Sequence, residues 1–242
     1  MATFLRACLW GMMQALYPSH CVCIACGRPR VDEEETQLCD ACQTRLRPFA
    51  PPHCPRCGCT SAGICSVCQR SENPALQGAG IAGYPYAGVG GRMVRALKFF
   101  HVRTAAQPLA EGLFRAFPNA AYDALVPVPL HRRRLRTRGF NQAALLCEAL
   151  SVRCGLPVLH ALRRKRATRQ QARLSARARI RNTQNAFTVT APVAGLRLLL
   201  VDDVRTTGAT FAACADALTA AGARTVTLAA ATLAQEILAR KK

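Results

Sequence analysis

Acidic side chains are scarce in this chain. Thirteen Asp+Glu stand against 33 Lys+Arg, a formal charge of +20 at pH 7 over 242 residues. That imbalance predicts a polyanionic ligand or partner: phosphates, nucleic acid or an acidic lipid surface. Uninterrupted apolar runs are also missing. None approaches the ~18 residues of a membrane span, so an integral membrane segment is not expected. Apolar material itself is not in short supply, since 50% of the chain is hydrophobic. A core of that size excludes global disorder and fits one large domain, or an ordinary domain with a small attachment.

The N-terminus lacks the marks of a secretion signal. Its first positive charge is Arg6, the apolar run is broken at Gln14, and no small-x-small cleavage site follows. Residues 1–20 instead place Phe4, Cys8, Met12, Ala15 and Leu16 near one face of an amphipathic helix. The expected location is the cytoplasm, including its margin at the inner membrane. In a reducing compartment, closely spaced cysteine pairs are metal ligands more often than disulfides.

Cysteine is abundant, and unevenly so. Of 14 cysteines, ten lie between Cys21 and Cys68. Cys23 and Cys26, Cys39 and Cys42, Cys54 and Cys57, Cys65 and Cys68 are four CxxC pairs. Each pair aims two thiolates at one ion, and two pairs complete a tetrahedral shell that suits Zn2+. Two structural zinc ions follow, over residues 21–72, with sequential and cross-braced pairings both open. Gly27 and Gly58 each follow the second cysteine of a knuckle and relieve its tight turn. Cys8, Cys21, Cys59, Cys147, Cys154 and Cys214 read as ordinary thiols.

From residue 78 onward the pattern alternates strand and helix. Strands are expected at 79–86, 124–128, 196–201 and 225–231, with helices at 88–100, 105–117, 141–154 and 208–221. That order implies a parallel sheet in an α/β domain spanning 78–242, with ligands at the carboxyl ends of its strands. The third strand is Leu198-Leu199-Leu200-Val201, followed by Asp202-Asp203-Val204-Arg205-Thr206-Thr207-Gly208-Ala209-Thr210. Two carboxylates at the end of the apolar run suit ribose hydroxyls or Mg2+. A small-residue turn entering a helix offers amide hydrogens to a phosphate. The pair describes a sugar-phosphate site.

Residues 198–210 resemble the 5-phosphoribosyl pyrophosphate (PRPP) motif of type I phosphoribosyltransferases. The resemblance implies a Rossmann-like domain in which Asp202 and Asp203 hold the ribose hydroxyls. Thr206, Thr207, Gly208, Ala209 and Thr210 would wrap the 5′-phosphate, and Mg2+ would bridge ribose and pyrophosphate. Some members of that family carry an acid where Thr206 stands, serving as base toward a purine; its absence here argues against that route. Val126-Pro127-Val128-Pro129-Leu130-His131, then Arg134, then Arg138-Gly139-Phe140-Asn141-Gln142 form a second distinctive segment. Thr168, Gln171, Leu174-Ser175, Arg179, Asn182 and Ala186-Phe187 form a third. With the cysteine knuckles these resemble the ComF family, associated with DNA uptake in competent bacteria. Arg132 departs from that family's usual proline after the histidine.

The loop expected after the second strand holds five arginines between Arg132 and Arg138. Fixed guanidinium groups stabilise a departing pyrophosphate, and Arg134 and Arg138 are the leading candidates. Gly139 is expected to permit close backbone approach, and Lys98 either reaches the same anion or stays solvated. Residues 131–183 carry fifteen Arg+Lys and one acid, Glu148. A flexible basic flap is expected at about 163–187, with Arg173, Arg177 and Arg181 as nucleic-acid contacts. Phe140 and Phe187 are the nearby aromatics, so phosphate contacts to single-stranded DNA are expected rather than base stacking. Two readings follow. One is a PRPP-binding module that engages DNA or the uptake machinery. The other is an active transferase displacing pyrophosphate toward an acceptor the sequence does not name.

Overall fold

The computed structural model describes residues 22–30, 37–69, 80–117, 122–165 and 186–234. The N-terminal segment and the stretch with Arg173, Arg177 and Arg181 lie outside the described residues. Among the described residues there are six strands: β1 (Gly80–Pro85), β2 (Ala124–Pro127), β3 (Leu162–Arg164), β4 (Phe187–Val189), β5 (Arg197–Arg205) and β6 (Thr225–Leu233). The helices are α1 (Asp40–Arg45), α2 (Ser66–Gln69), α3 (Gly88–Phe99), α4 (Ala106–Arg115), α5 (Arg132–Arg138), α6 (Gln142–Cys154) and α7 (Ala209–Ala220). Strands β1, β6, β5 and β2 form one parallel sheet in that order, as expected of an α/β domain.

Burial explains why β5 sits inside the sheet. Leu198, Leu199, Leu200 and Val201 are all fully buried, each favouring the fold by roughly 1.5–3 kcal/mol over an exposed side chain. Leu199 and Val201 pack with α3, α4 and α6, through Val94, Leu97, Leu109, Leu146 and Leu150. Leu198 and Leu200 pack with Phe211 and Leu218 of α7 and with Leu162 and Phe187 of the small ribbon. A run that is apolar on both faces is what a central parallel strand requires.

The structure corrects three expectations. Strand β5 does not stop at Val201 but continues to Arg205, because β6 supplies partners for Asp202, Val204 and Arg205. Residues 132–138 form helix α5 rather than a loop. The helix buries no side chain, so it carried no apolar period to detect. Its caps hold it: His131 Nδ1 accepts from the Arg133 N–H at 3.2 Å, and the Gly139 N–H donates to the Leu135 carbonyl at 2.7 Å. Gly139 has a φ of 73°, and nothing lies within 4 Å of a Cβ built there. Its left-handed φ makes it the C-cap of α5. Third, the described ends of the segment expected as a flap pair as an antiparallel ribbon of β3 and β4, with Arg164 opposite Phe187, while residues 166–185 lie outside the described residues.

The cysteine segments pack into the same cores as the sheet. Cys23, Ile24, Leu38 and Cys42 join the layer of α3 and α4. Cys54, Cys57, Cys59 and Cys68 pack with Ala82 of β1 and Leu233 of β6. These segments also cover the free edge of β1. The Phe49 N–H donates to the Gly83 carbonyl at 3.0 Å, and the Gly80 N–H donates to the Pro55 carbonyl at 3.1 Å. Gly58, at φ 78°, presses so closely that an added Cβ would fall 2.3 Å from the Ala82 nitrogen. Gly58→Ala is expected to lower stability by on the order of 2 kcal/mol through the strained φ alone, and by more through the clash. Gly63→Ala, where nothing lies within 4 Å, is the matched control. Urea unfolding of the two variants checks the difference, and equal midpoints would refute the tight docking.

Candidate functional site

Strands β2 and β5 are parallel neighbours, so their carboxyl ends open side by side. The first leads into α5 with Arg134 and Arg138. The second delivers Asp202, Asp203 and the Thr206–Thr210 turn. Adjacent parallel strands therefore join two segments far apart in sequence at the position where such sheets bind ligands.

Asp203 is almost fully buried at 5% exposure, and its carboxylate takes the Lys98 ammonium at 2.6 Å. Its N–H donates to Asp202 Oδ1 at 2.8 Å, and its carbonyl accepts from the Thr232 hydroxyl at 2.9 Å. Lys98 is thus placed at the site by α3, engaged with Asp203 rather than solvated. Asp202 is half-buried. Burial first, and then the neighbouring Asp203 carboxylate, push its carboxyl up to about 7, against the pull of Lys98 and Arg164. Carboxyl oxygens accept hydrogen bonds from hydroxyl groups, which suits a vicinal diol.

Cations gather around this pair. Arg138 donates to Gln142 Oε1 at 2.9 Å and lies over the Phe99 ring at 5.6 Å. Burial lowers its pKa, while Asp203 and Asp202 favour its charge. Arg164, on β3, lies 5.4 Å over Phe187 and feels both Arg134 and Asp202. Arg134 repels Arg138 and Arg164 alike, so an anion placed among the three relieves that repulsion. Thr206 is exposed; Thr207, Ala209 and Thr210 are partly so. Gly208, at φ 75°, opens α7 with no side-chain cap, leaving first-turn amides directed at the turn.

Two site residues, Arg164 and Gln142, and one arginine just outside the site, Arg205, have no role marked by any sequence pattern. Arg164 belongs to a three-residue strand with no periodicity to flag it. Gln142, 1% exposed, ends the second distinctive segment and fixes Arg138. Arg205, also 1% exposed, occupies a variable position of the motif. A lone arginine in a chain with so many carries no signal of burial.

The cysteine pairs assemble sequentially. Cys23, Cys26, Cys39 and Cys42 form one cluster and Cys54, Cys57, Cys65 and Cys68 the other, their sulfurs all within 4.8 Å of one another. Across the two knuckles of each cluster, Cys26 Sγ lies 3.7 Å from Cys39 Sγ and Cys57 Sγ 3.7 Å from Cys65 Sγ. A tetrahedron with Zn–S bonds of about 2.3 Å has edges of about 3.8 Å. The donor sets therefore fit a metal ion. Cys147 and Cys214 are buried with thiol pKa values raised well above normal by desolvation, as inert thiols should be. Among the described residues, no helix is long and apolar enough to cross a membrane.

No family model matches the chain. It is 36% identical over 201 residues to the DNA utilization protein YhgH of Salmonella typhimurium, covering 78% of this chain and 87% of that one. Competence protein F of Haemophilus influenzae is 33% identical over 202 residues, covering 78% and 86%. Competence protein ComFC of Bacillus subtilis is 26% identical over 189 residues, covering 73% and 75%. Among solved structures, the glutamine PRPP amidotransferase of B. subtilis complexed with ADP and GMP aligns with a TM-score of 0.38 and 18% identity, covering 61% of this chain and 28% of that one. Sharing its sequence with YhgH and competence protein F along most of both lengths, the chain belongs to the ComF family.

Proposed function

We propose that this protein binds PRPP with Mg2+ at the ends of β2 and β5, and binds DNA on its basic face to assist DNA uptake or utilisation. The observation that carries the reading is the meeting of Asp202 and Asp203 with Arg134, Arg138 and Arg164 beside an uncapped helix start. Carboxyls suit the ribose diol, amides and threonine hydroxyls suit the 5′-phosphate, and guanidinium groups suit pyrophosphate. Mg2+ favours oxygen ligands, and the two carboxyls are the protein oxygens of that kind at the site. Zinc is the proposed ion for both cysteine clusters, on the softness of four thiolates and the sulfur spacing. The names of the relatives, DNA utilization and competence proteins, support a DNA-handling task.

Titration with PRPP and Mg2+ is expected to raise the melting temperature, and Asp202→Asn with Asp203→Asn to abolish the rise. The asparagines keep volume but leave Lys98 without its carboxylate, so each shift is measured from the variant's own ligand-free melting temperature. A shift of equal size in the double variant would remove the assignment. Pyrophosphate release measured against a panel of bases, amines and nucleosides separates a binding module, which stays silent, from an active transferase.

A further inference from the structure

Arg205 closes β5 and directly precedes the phosphate turn, three residues after Asp202. Its side chain does not reach toward the site. Nη1 donates to the Arg56 carbonyl at 2.7 Å, inside the knuckle between Cys54 and Cys57. Arg56 in turn donates from Nη1 to the Cys68 carbonyl at 3.2 Å, so both halves of the second cluster are tied to one network. Gly80 keeps the slot open: a Cβ there would fall 2.4 Å from Arg205 Nη1 and 2.6 Å from the Arg56 oxygen. The charged groups facing Arg205 include the sulfurs of Cys57, Cys68, Cys54 and Cys65.

The electrostatics make this arrangement reciprocal. A divalent ion held by four thiolates carries a net charge of −2, and burying it requires a nearby cation. A buried guanidinium has the mirror-image need. Each stabilises the other only when the cluster is loaded, and loading therefore favours the position of β5's last residue. The first cluster has a weaker counterpart, since Arg92 Nη2 on α3 approaches Cys42 Sγ at 3.9 Å.

We infer that Arg205 is a positioning residue that couples metal at the Cys54–Cys57–Cys65–Cys68 cluster to the conformation of the Asp202–Thr210 segment. The inference deepens the PRPP reading and rests on it for the choice of ligand, but the coupling itself is a property of the ligand-free chain.

The test uses the full, zinc-loaded protein, Arg205→Met, Arg205→Lys, Cys65→Ser and the Arg205→Met/Cys65→Ser double variant. Amide exchange over residues 202–210 is followed without ligand, zinc content is measured, and PRPP–Mg2+ affinity is titrated. Arg205→Met is expected to speed exchange over 202–210 at least tenfold and weaken PRPP at least tenfold, while Arg205→Lys recovers most of both. Cys65→Ser is expected to produce the same loss, and the double variant no more than either single change. Exchange within twofold of wild type in a zinc-replete Arg205→Met, or additive losses in the double variant, would overturn the coupling. If Arg205→Met does not fold, Cys65→Ser decides alone, and unaltered exchange over 202–210 overturns it. Wild-type protein that takes up no PRPP yet shows the exchange coupling would refute the ligand reading and leave the coupling standing.

Discussion

Removing metal from the two cysteine clusters is expected to unfold the described cysteine segments and to destabilise the whole chain more than any single substitution. Cys23 and Cys54 have no exposed surface, and Cys42, Cys57 and Cys68 are nearly as buried. The short helices beside them, α1 and α2, have 6 and 4 residues, too few to hold themselves in water. What fixes the segments is convergence on the two sulfur tetrahedra, and in small zinc modules such binding supplies about 10–16 kcal/mol of apparent folding free energy. The consequences spread because these segments share cores with the sheet. Loss of the second cluster frees the edge of β1 from Phe49 and Pro55, an exposed parallel edge that invites aggregation. Elemental analysis is expected to find two ions per chain. A strong chelator is expected to lower the melting temperature by tens of degrees, with light scattering rising as β1 is uncovered. A chelated, metal-free protein that melts where the loaded one does would refute the structural role of both clusters.

Much of this architecture was legible because burial writes itself into spacing. Leu198 to Val201 announced a strand, and the helix expected at 141–154 lies within a residue of α6, which Asn141 caps and Gly155 ends at φ 72°. The four CxxC pairs announced two clusters, although spacing alone left their pairing open; only the folded positions of the knuckles separate the sequential from the crossed arrangement. Helix α5 was illegible for the opposite reason. With no buried face it has no hydrophobic period, and its Arg132–Arg136 and Arg134–Arg138 pairs repel at the i,i+4 spacing. The signals that mattered were a histidine before it and a glycine after it. At the site, the paired acids and the turn followed from the motif, but Arg164 and Arg205 did not. Their roles come from tertiary placement, one across a two-strand ribbon and the other beneath a knuckle, which nearest-neighbour patterns do not encode.

Helix α5 also carries the second large expected effect, a steep dependence of DNA affinity on salt. Arg134 and Arg138 share one face; Arg138 interacts with both carboxylates and Arg134 with Arg164. Arg132 and Arg136, one turn apart on another face, are exposed. On the proposed reading, one side of the helix would face a small anion at the site and the other a polyanion passing over it. Each phosphate contact releases condensed counterion, and for single strands log affinity falls with log salt at about −0.7 per contact. About three contacts, from Arg132, Arg133 and Arg136, give a slope near −2.1, so a rise from about 50 to about 200 mM salt lowers affinity roughly 20-fold. Arg132→Glu with Arg136→Glu is expected to flatten the slope by about 1.4 and to weaken binding at any fixed salt by more than tenfold, while the PRPP-induced melting shift persists. Fluorescence anisotropy of a labelled single strand across a salt series measures both quantities. A slope near zero in the wild type would contradict electrostatic capture altogether. A wild-type slope retained in the double-glutamate variant would move the DNA path off α5, toward the arginines between β3 and β4.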